Sequence, residues 1–122
     1  MTDLTDRRPY TVGARKRNSD IALYRKKLSR NPTDVNVLKL LAASLADSGD
    51  LTQLITVLRT IVSITPTDAE AHLRLAETYE QMGNYESALP SVRSSLAIKS
   101  SDPRGRKLLA TLYYRAHEYQ KA

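Results

Sequence analysis

The chain has no cysteine among its 122 residues, which excludes a disulfide framework, a thiol nucleophile and a zinc–thiolate site. It has no run of about 18 apolar residues, the length needed to cross a bilayer. Histidine is nearly as scarce: His72 and His117 stand far apart, with no carboxylate set at metal-ligand spacing around either. His72 therefore reads as a structural residue on a half-buried helix position. No glycine-rich phosphate loop and no nucleophile–base pair can be found. These absences predict that the chain is not an enzyme and has no catalytic, cofactor or metal site and no small-molecule substrate. The stretch from Met1 to Tyr10 carries Asp3, Asp6, Arg7 and Arg8 and has no apolar core segment, so it does not read as a signal peptide. A cytoplasmic setting is the expectation.

What the chain does have is charge at one end and a period along the rest. Its net charge is +6. Arg7, Arg8, Arg15, Lys16, Arg17, Arg25, Lys26, Lys27 and Arg30 stand against only Asp3, Asp6 and Asp20 within residues 1–30. The remainder is balanced, so its surface does not point to nucleic acid on charge alone. The period is 34 residues: Pro32 returns as Pro66, Asp34 as Asp68 and Asp102, Leu41 as Leu75 and Leu109, Ala42 as Ala76 and Ala110, and Gly49 as Gly83. Such a period marks repeats that bury their apolar faces only against their neighbours.

Residues 1–17 mix charges with Pro9 and Gly13 and show no periodicity, which predicts a flexible basic arm. Helical spacing begins at Ser19 with Ile21, Tyr24 and Leu28, and Asn31-Pro32 ends it, since proline disfavours the α conformation in the residue before it. A domain is thus expected over 18–122, divided into a partial repeat (18–34), two full repeats (35–68 and 69–102) and a truncated one (103–122). In the first full repeat Leu38, Leu41, Ala42 and Leu45 form one apolar stripe, ending at Gly49 as a left-handed cap. Leu51, Leu54, Ile55, Leu58, Ile61, Val62 and Ile64 form the partner helix, which stops before Pro66. In the second, Thr67 and Glu70 read as a capping box ahead of Leu75, Ala76 and Tyr79. Pro90 predicts a late start or slight kink in the helix that follows Gly83-Asn84. Asp102-Pro103 reads as an N-cap followed by proline at the first helical position. His117 stands where the other repeats have glycine, which would call for a positive φ there. Leu109, Leu112 and Tyr113, with no hairpin partner following, are expected to leave an apolar face open.

The residues Leu75, Ala76, Tyr79, Gly83, Tyr85 and Ala88, echoed by Leu41, Ala42, Leu45 and Gly49 and by Leu109, Ala110, Tyr113, Tyr119 and Ala122, resemble the tetratricopeptide repeat over roughly residues 19–122. The departures are Leu38, His72 and Arg106 where the family favours tryptophan, and Leu54 where it favours alanine. The resemblance implies an all-α, right-handed superhelix of antiparallel helix pairs, a TPR-like α-solenoid. It implies a protein–protein interaction module, an adaptor or assembly scaffold that binds a peptide or helix of a partner in a concave groove.

The positions that face the groove in the family fall here on Asn36, Lys39, Leu40, Ala43, Ala46 and Asp47 in the first repeat. In the second they fall on Glu70, Leu73, Arg74, Glu77, Glu80 and Gln81, and in the third on Arg104, Lys107, Leu108, Thr111, Tyr114 and Arg115. Asn36, Lys39, Arg74, Glu77, Arg104, Lys107, Thr111 and Tyr114 are the candidate partner-binding set: arginine and lysine suit a carboxylate, while leucine and tyrosine suit an apolar anchor. The chaperone-carboxylate clamp of some family members would fall on Lys39, Ala43, Arg74, Arg104 and Leu108. Both of its asparagines and its last cation are missing, so no such clamp is expected. Arg15, Lys16 and Arg17 form a candidate anion-contacting arm. Three further readings stay open: an N-terminal interaction domain of a larger enzyme or machine, a basic tether to nucleic acid or an anionic membrane, and self-association through the open third repeat.

Overall fold

The computed structural model describes the backbone of residues 12–121 and the side chains of residues 16–117. Six helices and no strand lie among the described residues: α1 (Val12–Arg30), α2 (Val35–Ser48), α3 (Leu51–Ile64), α4 (Ala69–Gln81), α5 (Tyr85–Ile98) and α6 (Pro103–Lys121). The chain divides into two compact units, Met1–Leu54 and Ile55–Ala122, with the division inside α3.

In the first unit α2 packs against α1. Asp34 caps α2: its Oδ1 accepts from the Val37 N–H at 3.3 Å. Gly49 ends the helix at φ 79°, a left-handed conformation that costs glycine nothing and any other residue a Cβ clash. The stripe Leu38, Leu41, Ala42 and Leu45 is buried as its spacing predicts. One boundary moves: α1 begins at Val12, so residues 12–17, expected in an irregular arm, are helical. That segment, Val12 to Arg17, shows no apolar period, and Lys16 with Asp20 supplies an i,i+4 pair at 3.9 Å within the helix. The rest of the expected arm, residues 1–11, lies outside the described residues.

In the second unit α5 packs against both α4 and α6, and α4 and α6 also touch. Leu73, Ala76, Ala88, Val92, Leu108 and Leu112 form one buried cluster, with Tyr79, Tyr85, Leu89, Leu96 and Leu109 around it. Ala76 and Ala88 are fully buried; their methyl groups let α4 and α5 approach while the leucines fill the space between. Ser95, also fully buried, donates through Oγ to the Ala69 carbonyl at 2.9 Å and ties the end of α5 to the start of α4. Gly105 lies close against α5: a Cβ there would lie 2.9 Å from Cδ2 of Leu96, so the leucine side chain would have to shift.

Several local expectations change. Asp68, not Thr67, caps α4, accepting from the Ala71 N–H at 3.0 Å, whereas Asp102 caps α6 as expected, accepting from the Arg104 N–H at 3.0 Å. Aspartates 34 residues apart thus do the same job three times. The helix containing Pro90 does not start late, because Asn84 caps it and Tyr85 is its first residue. Pro90 and Glu86 are both exposed, so the Glu86 carbonyl that loses its helical donor faces water. His117 lies inside α6, and no described residue other than glycine has a positive φ. With no glycine to interrupt it, the helix simply continues. Finally, the third apolar stripe is only partly open. Leu112 is buried and Leu109 half-buried against α4 and α5, while Ala110 and Tyr113 are exposed.

Candidate functional site

The α4–α6 face of the second unit carries most of the residues expected to meet a partner. Glu70, Arg74, Glu77 and Glu80 rise along one side of α4 at i, i+4, i+7 and i+10; Arg104, Lys107, Thr111 and Tyr114 do so along α6. The Arg104 guanidinium spans the two helices. Its Nη1 donates to both carboxylate oxygens of Glu70 at 3.2 Å, and its Nη2 to both of Glu77 at 3.0 and 3.1 Å. These bonds, chiefly that to Glu77, hold Arg104 above the usual arginine range. Farther along, Arg115 Nε stands 3.5 Å from Glu80 Oε2, and its guanidinium lies 5.6 Å from the Tyr85 ring centre. The face is therefore cross-braced by its own opposite charges.

That bracing alters the roles read from sequence. Arg104 was expected to offer its charge to a partner's carboxylate, but Glu70 and Glu77 already occupy both of its terminal nitrogens. Leu73 and Leu108, expected to face the groove, are instead core residues. Each sits beside the packing stripe on its helix, where burial gains about 1.5–3 kcal/mol over exposure. Thr111 turns its hydroxyl back onto the Lys107 carbonyl at 3.0 Å.

Among the described residues no side-chain partner engages Arg74, which is half-buried, or Gln81, Lys107 and Tyr114, which are exposed. Tyr114 is 66% exposed. Its neighbour Tyr113 is engaged: Arg93 Nη2 donates to its hydroxyl at 2.9 Å. Asn36 and Lys39 are exposed on α2 of the first unit. Arg17 is half-buried, with a buried Nε that no described residue satisfies. Lys16 is exposed, and the side chain of Arg15 lies outside the described residues.

A cavity of about 450 Å³ opens between the α4–α5 turn and α6, with Tyr85, Leu89, Leu112 and Ala116 among its lining. His72, near a second hollow, donates from Nε2 to the Pro66 carbonyl at 2.8 Å and secures the turn before α4. Among the described residues no three histidines or carboxylates gather at metal-binding distance. No described helix is long and apolar enough to cross a membrane.

The sequence model of the tetratricopeptide repeat matches residues 45–112. The chain belongs to the tetratricopeptide repeat family. Solved structures agree on the fold. MamA superposes with a TM-score of 0.77 at 23% identity, over 92% of this chain and 68% of that one. The Sgt2 tetratricopeptide repeat domain from Aspergillus fumigatus gives 0.76 at 19% identity, over 90% and 74%. A MamA from Desulfovibrio magneticus RS-1 gives 0.76 at 21% identity, over 86% of this chain and 59% of that one. At such identities the likeness shows the fold alone. No curated protein sequence matches the chain. Tetratricopeptide repeats generally act as protein–protein interaction modules and are typically non-catalytic.

Proposed function

We propose that the α4–α6 face receives an extended or helical segment of a partner protein, with Tyr114 as its apolar anchor and Arg74 and Lys107 as the cations that meet its acidic groups. The observation that carries this reading is the bracing by Arg104. With Glu70 and Glu77 sharing one arginine and Glu80 paired to Arg115, the acidic side of the face is largely spent. Arg74 and Lys107 outweigh the single carboxylate charge left over. The brace also holds α4 and α6 in one arrangement before a partner arrives, which lowers the ordering cost of binding. A tyrosine this exposed beside fixed charges has the character of a binding hot spot. The bound groups are side chains of another protein, and the chain does no chemistry on them.

Peptides selected from a random library against the whole chain provide the test. Titrated into isotope-labelled protein, they should shift the amide resonances of Arg74, Lys107, Thr111 and Tyr114. Tyr114→Ala and Lys107→Ala should each weaken binding by about tenfold or more, with unchanged helicity by circular dichroism. Peptides that perturb α5 instead, or that bind both variants as tightly as the parent, would overturn the assignment.

A further inference from the structure

We propose that the outward face of α1 binds the phosphate backbone of double-stranded nucleic acid without reading its sequence. α1 carries Arg15, Lys16, Arg17, Arg25, Lys26, Lys27 and Arg30 against the single acid Asp20. Lys16, Leu23, Lys26, Lys27 and Arg30 are spaced i, i+7, i+10, i+11 and i+14, which places them within one narrow arc of the helix. All five are exposed. The stripe is roughly 21 Å long at 1.5 Å per residue.

Its charges are available. Among the described residues only Lys16 has a carboxylate nearby, Asp20 at 3.9 Å, and no side-chain partner engages Lys26, Lys27 or Arg30. Arg25, on the flank of the helix, is bonded to the Gln53 side chain and stays outside the stripe.

The same arrangement selects among anionic partners. A helix that settles into a membrane surface does so through a free apolar face. Here Ile21, Tyr24 and Leu28 are half-buried on the other side of α1, which packs against α2. Leu23, at 47% exposure, is the single apolar side chain on the stripe. An acidic protein fits no better, because protein interfaces have an apolar centre and are depleted in lysine. Nucleic-acid interfaces are polar and strongly positive. The stripe also has no aromatic side chain to stack on a base, so phosphates are what it can hold.

The test is fluorescence anisotropy of a labelled 20-base-pair DNA duplex titrated with the whole chain. Four phosphate contacts give a salt slope of about −3.6, so affinity should fall roughly 100-fold between 50 and 200 mM salt. The Lys26→Gln, Lys27→Gln, Arg30→Gln variant should lose at least about tenfold in affinity at 50 mM salt and keep a slope of only about −1. A control that loses the same charge elsewhere (Arg59→Gln, Lys99→Gln, Arg106→Gln) should bind within about twofold of the parent, since local contacts rather than net charge carry the affinity. Circular dichroism confirms that both variants keep their helicity. Four results would each overturn the proposal: no duplex binding at 50 mM salt, binding insensitive to salt, equal losses in both variants, or comparable binding to phosphatidylserine vesicles or polyglutamate.

Discussion

Leu40 and Leu108 hold equivalent positions in the repeat, yet the structure gives them opposite surroundings. Leu40 is 50% exposed on α2, whereas Leu108 is 9% exposed and belongs to the cluster with Leu73, Ala76, Ala88, Val92 and Leu112. Truncating each to alanine measures the difference. At Leu108 the change removes buried carbon and leaves a cavity, and leucine-to-alanine changes of this kind cost about 2–5 kcal/mol. The residual exposure of Leu108 places it at the low end, near 2–3 kcal/mol. A unit of this size loses about 4–8 °C of Tm per kcal/mol, so the expected fall is on the order of 10–20 °C. At Leu40 half the side chain already faces water, and the expected loss is below about 1 kcal/mol. Urea unfolding followed by circular dichroism, with calorimetry for Tm, reads both variants. Equal costs would refute the placement of Leu108 in the core. A near-silent Leu108→Ala that instead abolishes peptide binding would return that residue to the groove.

Two further outcomes follow from capping and charge. Asp68→Ala should lower stability by about 1 kcal/mol, because the Ala71 N–H loses its acceptor; Thr67→Ala, one residue away, should cost less than half as much in the same urea titration. Arg104 has its pKa raised on folding by Glu77 and Glu70, so its contribution is complete below the ordinary arginine pKa and is lost only in strong alkali. The difference in urea midpoint between the parent and Arg104→Gln should therefore be the same at pH 7 and pH 9.5, and a gap that closes at pH 9.5 would contradict the sign.

Helix positions were readable wherever a strong local device ended them. Asn31-Pro32, Gly49 and Pro66 act through backbone conformation, which depends on the residue itself and its immediate neighbours. The start of α1 is not readable, because Val12 to Arg17 show no apolar period against which to detect it. Thr67 and Asp68 are adjacent and either side chain can accept a backbone hydrogen bond, so local pattern does not choose between them as the cap. The recurrence of aspartate at 34, 68 and 102 was the signal that pointed to the right one.

The face proposed to bind a partner is legible in the sequence in outline only. Spacing alone sets Glu70, Arg74 and Glu77 along one side of α4, and Arg104, Lys107 and Tyr114 along one side of α6. It could not say that Arg104 would be taken by two glutamates one repeat away, since that depends on how closely α4 and α6 approach.

The 34-residue period and the apolar stripes determined an all-helical repeat, because each helix shows its neighbours the same kind of surface each time. Tertiary packing alone decided which borderline residues turn inward and which charges stay free. Leu73 and Leu108 went into the core because an apolar neighbour lay within reach, and Leu40 stayed exposed. Lys107 and Arg74 have no side-chain partner among the described residues, while Glu70, Glu77 and Glu80 pair with Arg104 and Arg115. Those outcomes depend on distances across helices, and a one-dimensional pattern carries no such distances.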